Sequence, residues 1–178
     1  MLNREYAELM ARYNQVMNEK LYALCSALTD EQRKRDQGAF FKSLHGTLSH
    51  LVWADRAFLI RLESEPGPIG RPEDFDCPDF TALRAERQRL DQVMCDWARS
   101  LPEGTLAKPF VMTSVIYKTQ RRMPLYLLVV QMFNHQTHHR GQLTTLLSQM
   151  GIDPGVTDLP FLPCADGLVS EVTAEPAS

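Results

Sequence analysis

The feature that most limits how this chain can fold is the recurrence of apolar residues at three- and four-residue steps through four long stretches. Side chains three and four apart share a helix face, so each stretch reads as a helix with one face to bury. The first, over residues 3–28, carries Tyr6, Leu9, Tyr13, Val16, Met17, Leu21, Leu24 and Leu28, with Asn3 placed to cap it. The second, over 40–64, has Leu44, Leu48, Leu51, Phe58 and Leu62 on one face. The third, over 79–99, turns Phe80, Leu83, Leu90, Val93, Met94 and Trp97 inward, and Pro102 closes it. The last, over 124–150, begins at Pro124, which suits a first helical turn, and ends before Gly151. Its stripe is Leu125, Leu128, Val129, Met132, Leu143, Leu146, Leu147 and Met150.

The connections are of different kinds. Thr29 to Gln32 opens a short polar turn or helix that ends near Gly38. Residues 65–72 cannot be helical, because Pro66, Gly67, Pro68, Gly70 and Pro72 interrupt them. Phe110, Val111, Val115, Ile116 and Tyr117 favour extended structure, and with Thr113 and Ser114 between them they predict a small β-hairpin over 109–122. The expected fold is therefore all-α: a four-helix bundle, antiparallel or with a crossover, with a small hairpin before the last helix and an irregular C-terminal tail. One domain is expected over residues 1–165, and a flexible tail over 166–178.

Composition excludes several function classes. A net charge of −3, with scattered Lys and Arg, leaves no basic face for nucleic acid; Arg33, Lys34 and Arg35 read as a solvated turn. No run approaches the roughly 20 apolar residues of a membrane span, since the best candidate, 123–133, leads directly into Asn134 and His135. The opening residues do not resemble a secretory signal. Cys25, Cys77, Cys95 and Cys164 lie far apart with no Cys-x-x-Cys pair, so reduced thiols and a cytoplasmic setting are expected.

The chemistry sits in the histidines. His135 and His139 are four residues apart, one turn above the other on the face that runs from Met132 to Leu143. That spacing lets two imidazoles reach one ion. His50 is the candidate third ligand, because three of its four neighbours one turn away are the small Gly46, Thr47 and Ala54. His138 is rotated off this face toward Gln131 and Gln142, and His45 lies about 140° from His50 at roughly 100° per residue. On spacing alone the pair reads equally as a metal site or as two unrelated helix histidines.

Four segments resemble the DinB (damage-inducible) family of metalloenzymes. Tyr13-Asn14-Gln15-Val16-Met17-Asn18-Glu19-Lys20-Leu21 resembles its first-helix pattern, and Leu48-Ser49-His50-Leu51-Val52-Trp53-Ala54-Asp55-Arg56 its second-helix histidine motif. Asn134-His135-Gln136-Thr137-His138-His139-Arg140-Gly141-Gln142 resembles its most specific signature, and Thr157-Asp158-Leu159-Pro160 its closing segment. The likeness spans about residues 6–162, in the family's order and spacing. It implies a four-helix bundle, usually dimeric, in which His50, His135 and His139 bind zinc, nickel, iron or a similar divalent ion. It also implies, for some members, transfer of a low-molecular-weight thiol to an electrophile.

Three imidazoles leave a coordination position open, as catalytic rather than structural zinc sites do. Position 136 is Gln, so the general base of His-Glu-x-x-His proteases is missing. The leading expectation is a metal-dependent transferase activating a small thiol, with a homodimer and a small-molecule substrate as partners. A non-catalytic metal-binding stress-response bundle and a metal-dependent hydrolase are the alternatives. Asn14, Asn18, Gln131 and Asn134 are candidates to orient the imidazoles. Asp55 and Arg140 are either an interhelical ion pair or two solvated charges. Trp53, Tyr13, Met10, Met17, Met94 and Met132 read as core, and Asp158 as a fourth ligand only if the tail folds back.

Overall fold

The structure, a computed structural model, describes residues 2–72, 75, 77–114 and 118–170. Among them are five α-helices and one two-stranded antiparallel sheet. The helices are α1 (Arg4–Ser26), α2 (Asp30–Lys34), α3 (Leu44–Arg61), α4 (Phe80–Ser100) and α5 (Leu125–Gln149). Side-chain caps mark where four of them begin: Asn3 accepts from the Tyr6 amide, Thr29 and Gln32 form a reciprocal box, Ser43 accepts from Gly46, and Asp79 from Thr81 and Ala82. Among the described residues no helix is long and apolar enough to cross a membrane.

The four long helices pack in a ring, α1 on α4 and α5, and α3 on α4 and α5. Leu21, Leu44, Leu48, Leu59, Leu83, Leu90, Met94 and Met132 lose essentially all their exposure between them. Each such side chain contributes about 1.5–3 kcal/mol over an exposed one, so the apolar stripes are the main force on this arrangement. None of the four cysteines is in a disulfide.

Two expectations change at the connections, and the irregular segment after α5 keeps its expected character. The second long helix begins at Leu44 rather than near residue 40, because Ala39 and Lys42 close a bridged turn and Ser43 caps the helix beyond it. Lys42 takes a positive φ of 68° there, which no helix allows. Thr113 and Ser114 lie within β1 (Pro109–Ser114), paired with β2 (Thr119–Pro124) from Pro109↔Pro124 to Ser114↔Thr119. The expected extended residues Val115, Ile116 and Tyr117 lie outside the described residues. The segment after α5 is irregular apart from two single turns of 3₁₀ helix, Leu159–Phe161 and Pro163–Ala165. It is tied to α1: the Tyr13 hydroxyl donates to the Thr157 carbonyl (3.0 Å) and the Lys20 ammonium to that of Val156 (2.6 Å). Of the expected flexible tail, residues 171–178 lie outside the described residues.

At the centre of the ring is a polar layer. Arg87 of α4, only 2% exposed, donates to Asp55 of α3, and its second terminal nitrogen lies 2.9 Å from Asp91. Asp91 accepts from Asn18 (2.8 Å) and Asn14 (3.3 Å) of α1. From α5, Gln136 donates to Asp55 (2.8 Å) and Arg140 to the Asn14 amide oxygen. Two aspartates and two arginines balance in charge, which buried ions require. Asp55 and Arg140 are therefore neither the expected pair nor solvated. Arg87 takes Asp55, while Arg140 is held by Asn14, by Thr137 (3.0 Å) and over the Tyr13 ring.

Candidate metal centre

On α5 two pairs of residues four apart alternate: His135 with His139, and Gln136 with Arg140. The second pair is drawn into the polar layer by Asp55 and Asn14. That contact fixes the rotation of α5 about its axis and leaves the imidazole pair aimed at α3. There it meets His50. The Nε2 atoms of His50 and His135 lie 3.2 Å apart and those of His139 and His135 3.1 Å apart, and one ligand atom from each of the three falls within 4.8 Å of the others. Tetrahedral bonds of about 2.0–2.1 Å would hold nitrogens about 3.3 Å from one another, so the spacing matches a shared ion.

The donor set also has the right protonation. Burial, reinforced by His139 and His135, pushes the His50 imidazole down to about 3. Burial and then His139 push His135 down to about 4, and burial lowers His139. Neutral imidazole is the form that ligates a metal. For His139 the tautomer is set as well: Nδ1 lies 2.8 Å from the Gln142 amide oxygen, so it carries the proton and leaves Nε2 a lone pair. The Nδ1 atoms of His50 and His135 are buried without a hydrogen-bond partner among the described residues.

An aromatic wall surrounds the three rings. Phe41 stacks on His50 with centroids 3.9 Å apart and meets His139 edge-on at 5.5 Å. Trp53 stands 5.7 Å from His50, and Phe58 6.0 Å from His135. The room expected beside His50 is thus partly filled by Phe41. Gly46 serves that turn, since a Cβ on it would overlap the Phe41 carbonyl oxygen.

The other candidates fall elsewhere. His45 is buried and bonds the Cys77 carbonyl (2.8 Å), away from the cluster. His138 is exposed at the rim, with its ring edge against His139 and Nε2 3.3 Å from the Gln142 amide. Asn14 and Asn18 serve Asp91 rather than an imidazole, and Gln131 and Asn134 are exposed. Trp53 is half-buried, and its ring N–H donates to the Gly70 carbonyl (3.2 Å). Asp158 does not join the cluster. Sequence reasoning missed Gln142 and Phe41. Gln142 had a signal, lying three residues beyond His139 and so within reach of its ring, whereas Phe41 was hidden by its assignment to a helix.

The model of the DinB family matches residues 1–170 of the 178. No curated protein matches the chain.

Proposed function

The chain belongs to the DinB family, and on that premise we propose that it is a metal-dependent transferase that activates a low-molecular-weight thiol at His50, His135 and His139. We read residues 1–165 as one four-helix-bundle domain with a flexible tail over 166–178. The working form is proposed to be a cytoplasmic homodimer, loaded with zinc, nickel or iron.

The observation that carries this reading is the convergence of three neutral imidazoles, with no fourth His, Cys, Asp or Glu among the described residues joining them. A divalent ion held there would supply positive charge that lowers the pKa of a thiol approaching the remaining position. The protein's own contribution is orientation and partial enclosure. Gln142 keeps the His139 lone pair aimed inward, and Phe41, Trp53 and Phe58 wall the sides of the rings they pack against, leaving His50 open to one cavity. Asp55, the acid whose charge His135 feels, is tied up by Arg87 and Gln136. With no free carboxylate joining the cluster among the described residues, a nucleophile that ionises by itself near neutral pH is favoured over water. The thiol would give its proton to solvent, and its sulfur would bond to the electrophilic carbon as that carbon's bond to its leaving group breaks, the leaving group departing with the electron pair.

Elemental analysis of protein purified without chelator, followed by thiol-conjugation assays with and without the metal found, tests the reading. About one ion per chain and metal-dependent conjugation are expected. A chain that unfolds outright on chelation, with a cobalt-substituted spectrum indifferent to small thiols, would instead make the metal structural.

A further inference from the structure

One face of α3 is only partly covered. At about 100° per residue, Gly46, Ser49, His50, Trp53, Arg56, Ala57 and Ile60 fall within a sector of about 120°. Two cavities lie along it and share Phe75. One, of about 560 Å³, is bordered by Phe41, His45, Ser49, His50 and Cys77. The other, of about 220 Å³, is lined by Trp53, Arg56, Ala57, Ile60 and Ile69. Arg56 lies six positions after His50, which is about 9 Å along the helix axis. A groove therefore runs from the histidine cluster to an arginine.

Arg56 differs from the other buried or half-buried arginines of this chain in its surroundings. Arg87 is held by two aspartates, Arg140 by Asn14 and Thr137, Arg33 by two backbone carbonyls, and Arg61 by the Ala57 carbonyl. Arg56 has no hydrogen bond or ion pair among the described residues; a buried Nε without a partner is common to Arg33, Arg56, Arg61 and Arg87, but of these four only Arg56 also lacks a bond at its terminal nitrogens. Glu86, whose carboxyl is held low first by Arg89 and in smaller part by Arg56, accepts its hydrogen bonds from Arg89 (2.9 Å). A guanidinium half-removed from water has lost hydration without gaining an acceptor. It is also a planar fork of donors suited to a carboxylate, here beside an indole and aliphatic walls.

Resting on the thiol-transferase reading, we propose that the Trp53–Arg56 cavity is a second subsite, which binds the carboxylate of a substrate whose reactive end reaches the histidine cluster. The substrate class is then narrowed to small, partly apolar molecules with an anionic group several bonds from the reacting atom. A neutral molecule of the same length would lack the anchor.

The test uses cobalt-substituted protein titrated with 6-mercaptohexanoate and with 6-mercaptohexanol, following the cobalt absorption. The acid should bind about tenfold more tightly than the alcohol, the size of one charge-assisted contact. Arg56→Met should abolish that preference, and Arg56→Lys should retain part of it, with circular dichroism confirming that both variants fold. Equal affinity of the two thiols for the parent protein, or an Arg56→Met loss shared equally by both, overturns the subsite while leaving the thiol reading standing. If neither thiol changes the cobalt spectrum, the thiol reading fails, and benzoate quenching of Trp53 fluorescence decides the subsite alone. Quenching by benzoate and not benzamide, lost in Arg56→Met, supports it; no quenching overturns it.

Discussion

Replacing Arg87 with Met should be among the most damaging single changes in this protein, although Arg87 touches none of the three histidines. Its guanidinium is 2% exposed and is shared by two carboxylates that are themselves buried. Methionine nearly fills the volume, so the packing term is small. What remains is charge: Asp55 keeps only its bond from Gln136, and Asp91 only those from Asn14 and Asn18. Stranding one partner of a buried pair costs about 3–5 kcal/mol, and two carboxylates sharing the void place this case toward the upper end. Against a typical stability of about 5–15 kcal/mol, the variant should be near the edge of folding at neutral pH. Urea unfolding followed by circular dichroism measures the loss. Burial already pushes the Asp91 carboxyl up against the pull of Arg87. Without Arg87 the Asp91 carboxyl should ionise at still higher pH, so part of the lost stability should return as the pH is lowered to 5. A triple variant that also carries Asp55→Asn and Asp91→Asn should recover most of it at pH 7. A loss below about 1 kcal/mol in the single variant, insensitive to pH, would refute the claim that this cluster is a buried ion network.

Three further outcomes are expected. His139→Ala should lose most of the bound metal, whereas His138→Ala should keep its affinity within a few fold, as measured by competition with a chromophoric chelator. Gly46→Ala should destabilise the chain by about 1–3 kcal/mol in thermal unfolding despite alanine's better helix propensity, because its Cβ meets the Phe41 carbonyl oxygen. In metal-free protein the depressed His50 and His135 pKa values mean that the unfolded chain binds protons first. Their contribution to stability is full above the unfolded value of about 6.5 and declines as pH falls toward 4 and then 3. Single variants His50→Gln and His135→Gln should flatten that decline, and an unchanged slope would remove the imidazoles as its cause.

The sequence by itself determined what depends on neighbours along the chain. Helix periodicity, the Asn3 cap and the one-turn offset of His135 and His139 come from backbone geometry that repeats every few residues. The absence of His138 and His45 from the cluster was legible for the same reason, since rotation about a helix is additive along it. Tertiary structure alone decided which face meets which, and with it the partners of every buried charge. Arg87 falls in the third apolar stripe between Leu83 and Leu90, a gap visible in the pattern, yet nothing local says that Asp55, on another helix, closes the pair. Phe41 reached His50 only because a bridged turn placed it there. Contacts between residues far apart in sequence depend on how whole helices dock, and helices dock to bury apolar area, a property shared by too many residues to single out one partner. Polar groups caught between them then pair with whatever charge the packing brings within reach.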